Sequence, residues 1–411
     1  MTDLGAEKRS LKSTYSYILL LFALYFGTVL YDLISAAGFT YTDEILVLTL
    51  ALSVVVCNRI DVKLLCFIGV SLFFLVFSLI AGINVREAAL MDYLIQIKPF
   101  LGFYCVYNLG LKLNNYHKRK LSCHVVILAI ILFLGSLVDY KLFVETIPGH
   151  PSRFATTFII LGFLYYYSSR RRNVDILVSL LIWCVSILSF RSKAYGFVAI
   201  AIILFLFTGR EFYRKFKLST LLGILCICAA AVFFAREKFF IYFIEGLSDG
   251  DVDNMLARPA LYAGGWSILQ DHPLLGSGLG SFATYASSVF YSPVYYEYGL
   301  DQIYGLSPIP GGGDYICDTF YPSLAQFGIV GIILFIYFFT KRFVQARRRY
   351  RATGDLRTFI MCILIIAFFV IESTSDATFT QNRGMVMMMI YALLLHDNKA
   401  RLSISNNNES I

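Results

Sequence analysis

Apolar residues in this chain run in long unbroken stretches, at about 17–33, 45–57, 64–82, 93–111, 124–138, 155–168, 174–190, 194–209, 219–235, 322–340, 359–375 and 384–396. A continuous run of this kind predicts a helix whose backbone groups bond to one another, because lipid offers them no partners. The missing apolar–polar alternation argues against a membrane β-barrel. The expected fold is an all-α polytopic membrane protein with about twelve transmembrane helices. One long polar interval interrupts the series at about 236–321. It divides the chain into 1–235, with nine helices, a large loop over 236–321, and 322–411, with three helices and a tail. Ser35-Ala36-Ala37 faintly resembles a cleavage site, but the run before it is long for a signal peptide, and an uncleaved anchor is expected.

Composition agrees with this pattern: 58% of the residues are hydrophobic and only 15% are charged, against roughly a quarter charged in a soluble domain. The nine cysteines are scattered, mostly within apolar runs, with no CxxC pair. They read as small hydrophobes, and neither a disulfide framework nor a metal site is expected. With the N-terminus in the cytoplasm and the spans alternating, 25 of the 35 Lys and Arg fall on the cytoplasmic side and 19 of the 27 Asp and Glu on the other. That bias fixes the orientation and places the 236–321 loop on the outer side.

Basic residues on the outer side run against the bias and so carry information. Arg191 and Lys193 form a tight polar link between two apolar runs, Ser189-Phe190-Arg191-Ser192-Lys193. Two readings stand: a snorkelling pair capping a hairpin, or a cationic pocket for an anionic headgroup, which the planar Arg fork binds bidentately. Arg153 and Arg258 share that side. Of the charges within spans, only Lys98 and Asp92 read as buried.

The loop opens on Arg258 through Trp266 and continues Asp271-His272-Pro273-Leu274-Leu275-Gly276-Ser277-Gly278-Leu279-Gly280-Ser281-Phe282. Gly276-Ser-Gly278-Leu-Gly280 looks superficially like a dinucleotide fingerprint, but no strand precedes it. Pro273-Leu-Leu-Gly276 reads as a tight turn at the bilayer surface. Pro310 to Gly313 reads as a flexible loop, either lid or linker. Tyr295, Tyr296 and their aromatic neighbours stack on sugar rings or form an interfacial belt. No nucleotide loop, zinc motif or hydrolase elbow occurs, and no internal repeat suggests a transporter.

These stretches resemble the O-antigen ligase and O-antigen polymerase superfamily of bacterial envelope glycosyltransferases, polytopic GT-C-like proteins with one large periplasmic loop. The likeness rests on the Arg258-to-Phe282 motif, on Phe190-Arg191-Ser192-Lys193, on Arg153-Phe154-Ala155-Thr156-Thr157-Phe158, and on Cys317-Asp318 followed by Gly328-Ile329-Val330-Gly331. In ligases the first position of the last motif is a His that serves as base; here it is Cys317. Asp318 and Asp314 are the alternative proton acceptors, with Asp318 also readable as the cap of the following helix. His272 reads as structural.

The resemblance implies a donor glycan carried on undecaprenyl diphosphate. Arg153, Arg191, Lys193 and Arg258 would hold the diphosphate, and Asp318, Cys317 or Asp314 would act as base, with weaker glycan contacts at Trp266, Tyr295 and Tyr296. No cofactor and no metal is expected, and no nucleic acid. Implied partners are an acceptor glycan or lipid A core, membrane lipids and a chain-length regulator. The implied location is the bacterial inner membrane with the active site facing the periplasm. The departure at Cys317 favours a polymerase of O-antigen, capsule or exopolysaccharide. A ligase or protein O-oligosaccharyltransferase is the alternative, and a lipid-linked glycan flippase the reading from another class.

Overall fold

The computed structural model describes residues 2–170, 173–206 and 256–408. The described residues are helices and the loops between them, with no strand. A helix lies on every apolar run named above except 219–235, which falls outside the described residues, as do Arg236 and Lys238. Among the described residues three helical stretches, Val62–Ala81, Asn115–Val138 and Tyr321–Thr353, are long and apolar enough to cross a membrane, and Asn173–Ser189 and Ser192–Phe205 are shorter apolar helices.

Local chemistry sets the ends of these helices. Gly82 and Gly110 stop two of them in the left-handed region that glycine enters without a Cβ clash. Asn114, Asp139 and Asp355 cap three starts by accepting from His117 N–H, Leu142 N–H and Thr358 N–H.

Pro151–Ser168 is buried almost all round and occupies the centre together with the Met385–Leu395 part of Asn382–Asn408. A helix apolar on every face belongs inside a bundle. Trp183 packs so tightly against the central helix that a Cβ on Gly162 would sit 2.2 Å from its indole nitrogen, which donates to Ile159 O at 2.9 Å. The outer helices turn large apolar side chains outward, among them Leu65, Phe73, Val76, Ile131, Leu134, Ile333 and Ile336. That inverted surface is what lipid requires, and with the apolar runs it makes this a membrane protein.

Two expectations change. The polar interval is not simply a loop: its described part contains the helix Ala257–Asp271 and two short ones, Tyr285–Val289 and Val294–Glu297. They close over a second core of Leu261, Ile268, Phe282, Tyr295, Ile303, Leu306 and Ile316. Gly264 and Gly265 allow this, since a Cβ on Gly264 would sit 2.8 Å from Leu300, and Gly265 faces the Pro322 backbone. Buried charge is also more abundant than Lys98 and Asp92 alone, for Asp43, Arg342, Arg349, Glu372 and Arg383 are buried as well. Lys98 reaches Asp43 at 2.5 Å and Glu44 at 2.7 Å. Buried ions of opposite sign survive by pairing, which sequence patterning does not display.

Candidate functional site

The Gly276-to-Gly280 stretch anchors the polar interval to the bundle. Its glycine and leucine amides are taken: Gly276 N–H donates to His272 O at 3.1 Å, Gly278 N–H to Gln326 O at 2.9 Å, Leu279 N–H to Ser78 Oγ at 2.8 Å and Gly280 N–H to Asp92 Oδ2 at 2.9 Å. Ser281 and Phe282 N–H share Gln326 Oε1. A glycine-rich loop whose amides already bind a protein carboxylate is not a phosphate cradle. Gly280 has φ +73°, and a Cβ there would lie 2.6 Å from the Ala88 backbone. Pro273 and Leu274 turn the chain so that their carbonyls accept from Ile329 and Val330 N–H, the first amides of Gly328–Thr353.

Against this frame the structure gathers charged groups from distant parts of the chain. A π-helix at Tyr25–Val29 bends the first helix; Asn382 Nδ2 donates to the Gly27 carbonyl at 2.7 Å. Such bulges recur where a helix must redirect a functional side chain. The following helix, Tyr31–Ala36, presents Asp32, whose two carboxylate oxygens take Arg153 and Arg383, the latter at 3.3 Å. His150 caps Pro151–Ser168, and its Nε2 lies 3.1 Å from Arg191 Nη2. Phe190 occupies the left-handed region (φ +52°), reversing the chain in one residue and setting Arg191 and Lys193 at the start of the next helix. Lys193 bridges Glu372 at 2.6 Å and Asp376 at 3.3 Å. Arg258 pairs with Asp318.

These pairs form one electrostatic network. Asp318 feels Asp376 and Lys193 besides Arg258, and His150 feels Asp376, Arg153 and Lys193 besides Arg191. The four cations expected from sequence, Arg153, Arg191, Lys193 and Arg258, are therefore brought together around Asp376 and Asp318.

The network sets different environments for the three acceptors that the resemblance implies. Burial raises the Asp318 carboxyl and Arg258 pulls it only part of the way back, so it stays above the usual carboxylate range. Burial, and then the neighbouring Asp318 charge, pushes the Cys317 thiol up to about 11, far from a thiolate at neutral pH. Cys317 thus does not suit the role of base. Asp314 is exposed on the loop. Asp318 is not the cap of the next helix, because that 3₁₀ turn, Tyr321–Phe327, starts at Phe320 without a side-chain cap. Partial burial and then the Arg191 charge bring His150 down to about 4, which keeps its imidazole neutral.

Arg258, Tyr262 and Trp266 recur every four residues and so share one face of Ala257–Asp271. The Tyr262 hydroxyl ties that face to Thr374 O at 2.9 Å, while Trp266 is 65% exposed. Tyr296 is exposed too, but Tyr295 is wholly buried, its hydroxyl accepting from Ala283 N–H at 2.8 Å and lying 2.9 Å from Ser287 Oγ. Its ring is enclosed in the loop core, in contrast to the sugar-stacking role expected for it. Sequence reasoning missed Asp32, Glu372, Asp376 and Arg383 as members of the network. The acidic bias of the outer side hinted at the three acids, and the scarcity of outer-side cations at Arg383.

No curated protein and no solved structure matches the chain significantly. Residues 176–336 match the family model described as O-antigen ligase. The matched stretch holds Arg191, Lys193, Arg258, Trp266 and Asp318, and leaves Arg153, Asp376 and Arg383 outside it. Over this stretch the chain is similar to the O-antigen ligase family, which agrees with the resemblance that its motifs carry.

Proposed function

We propose that the protein is a polymerase that moves an oligosaccharide repeat unit from undecaprenyl diphosphate to a sugar hydroxyl of another lipid-linked glycan, at the periplasmic face of the inner membrane. The observation that carries this reading is the gathering of Arg153, Arg191, Lys193 and Arg258 beside Asp318. The acceptor oxygen attacks the anomeric carbon as the bond from that carbon to the phosphate oxygen breaks. The hydroxyl proton passes to the Asp318 carboxylate, and the electron pair leaves with the diphosphate. Direct displacement inverts the anomeric centre.

In this reaction the arginines matter most, because the charge that develops sits on the leaving diphosphate and preorganised cations stabilise it. A donor held by a membrane lipid also explains a protein that reads as having no nucleotide site. Asp318 starts paired with Arg258. When the diphosphate takes Arg258, the carboxylate loses the partner that held its proton affinity down and becomes a stronger base. The exposed Trp266, two turns along the same helix face, lies about 12 Å away along the axis, a reach that suits a stacking platform for the sugars beyond the reacting one.

A ligase is the second reading, favoured by the description of the matching family model. Purified protein incubated with a fluorescent lipid-linked repeat unit separates the two. A ladder of lengthening chains from that substrate alone supports a polymerase. Product formed only after lipid A core is added makes it a ligase, and no transfer with either acceptor removes the glycosyltransferase reading.

A further inference from the structure

A cavity of about 360 Å³ runs between Val62–Ala81, Arg86–Leu109 and Gly328–Thr353, from Leu279 and Phe320 on the side of the charged network to Lys63 and Lys341 at the opposite ends of the helices. Its walls are Phe67, Val70, Phe74, Phe100, Leu334 and Phe338, among other apolar side chains. From Val62 to Phe74 it extends about 18 Å along the helix axis, the scale of one lipid acyl chain. Val70, Leu334 and Tyr337 on its rim are exposed, so the groove is open sideways to the bilayer.

One end of this groove is basic. Lys63, Lys341 and Arg342 all line it there. Arg342 is only 3% exposed, with its guanidinium carbon 5.3 Å from the Phe103 ring and 5.4 Å from that of Phe338. Nη1 donates to Gln345 Oε1 at 2.7 Å, but Nε is buried without a hydrogen-bond partner. Among the described residues Arg342 has no ion pair, while Lys63 lies 3.8 Å from Asp61. A guanidinium stays protonated when buried, so a cation this deep calls for an anion, and phosphate matches its fork.

We propose that this groove binds one anionic phospholipid, with an acyl chain along the apolar wall and the headgroup phosphate on Arg342, Lys341 and Lys63. The position of the cations separates this ligand from the glycan donor. A donor diphosphate belongs with Arg153, Arg191, Lys193 and Arg258, at the other ends of the helices, whereas this groove is basic only at its far end. The basic end is also the side that the charge bias places in the cytoplasm, where anionic headgroups gather and basic pockets between helices take them. The site is independent of which transfer reaction the protein carries out.

Native mass spectrometry of the full-length protein, titrated with phosphatidylglycerol or with phosphatidylcholine of the same acyl chains, tests this directly. Phosphatidylglycerol is expected to give a retained one-to-one adduct, with phosphatidylcholine binding roughly tenfold more weakly. The double variant Lys63→Gln/Lys341→Gln, at two exposed positions, is expected to cut retention of phosphatidylglycerol by roughly tenfold or more, at one neutralised cation per headgroup contact. Val70→Trp, which fills the rim of the groove, is expected to abolish it, with thermal melts showing that both variants fold. Equal binding of the two lipids, or unchanged retention by both variants, overturns the proposal. Retention of undecaprenyl phosphate but not phosphatidylglycerol also overturns it, and makes the groove a channel for the donor's tail.

Discussion

In the proposed reaction Asp318 and Arg258 set the proton chemistry between them, and each affects it differently. Burial lifts the Asp318 carboxyl, while the Arg258 guanidinium holds it down. A base that must be deprotonated gives an acidic limb in the pH–rate profile, here above the ordinary carboxylate range. Arg258→Gln removes the charge that favours the carboxylate, so the folded-state pKa rises. The limb is then expected to move to still higher pH, with a loss of roughly a hundredfold or more in rate for the missing charge stabilisation. An unmoved limb would remove Asp318 from the role. Cys317, whose thiol is pushed up to about 11, predicts the opposite behaviour. Cys317→Ser is expected to keep activity within about tenfold, since no thiolate is lost, as a turnover assay would show.

The residue types were legible in the sequence, but not their depth. Arg153, Arg191, Lys193 and Arg258 stand out because cations on the outer side defy the charge bias. Tyr295 and Tyr296 are adjacent aromatics with the same local pattern, yet one is sealed in the loop core and the other is exposed. Nothing in the order of residues separates them before the fold of the interval is known. Tyr295→Phe is accordingly expected to cost about 1–2 kcal/mol of stability through two lost hydrogen bonds, with transfer by the folded protein unchanged. Trp266→Ala is expected to leave the melting temperature in place and to raise KM for the glycan substrate.

Among the elements, the Gly276-to-Gly280 loop couples the polar interval to the bundle. Asp92 and Gln326 fill its amides, and Gly280 meets the Ala88 backbone. Gly280→Ala adds both a left-handed strain and a clash with immovable backbone, and should destabilise by about 2 kcal/mol or more, read as a drop in melting temperature. Gly69→Ala, where a Cβ meets open space, is the matched control and should melt like the parent. The glycine spacing was visible in the sequence, while its purpose was not. That purpose depends on Asp92, 188 residues away, and periodicity is blind to such a pairing. The helices themselves were largely legible because lipid imposes one rule on every run. The π-helix at Tyr25–Val29 was not, since no composition marks it.

Taken as a whole molecule, the site exists only as an assembly. Asp32 from the first part of the chain holds Arg153, 121 residues on, and Arg383, 351 residues on. Lys193 reaches Asp376 across 183 residues. The acids that organise the cations lie partly outside the segment that matches the family model, so the cluster is a property of the full bundle. The charge bias singled out these four cations together, but the pairing of each cation with its acid required the fold.

Polysaccharide profiling of a deletion strain tests the central claim most directly. The strain is complemented with the parent protein, Arg191→Ala, Arg258→Ala or Asp318→Ala, each checked for membrane levels. The account predicts loss of long chains for all three variants, with a single repeat unit still attached to the lipid core. Long lipid-linked chains that are never transferred would make the protein a ligase, and normal chains from all three variants at normal protein levels would contradict the account at its centre.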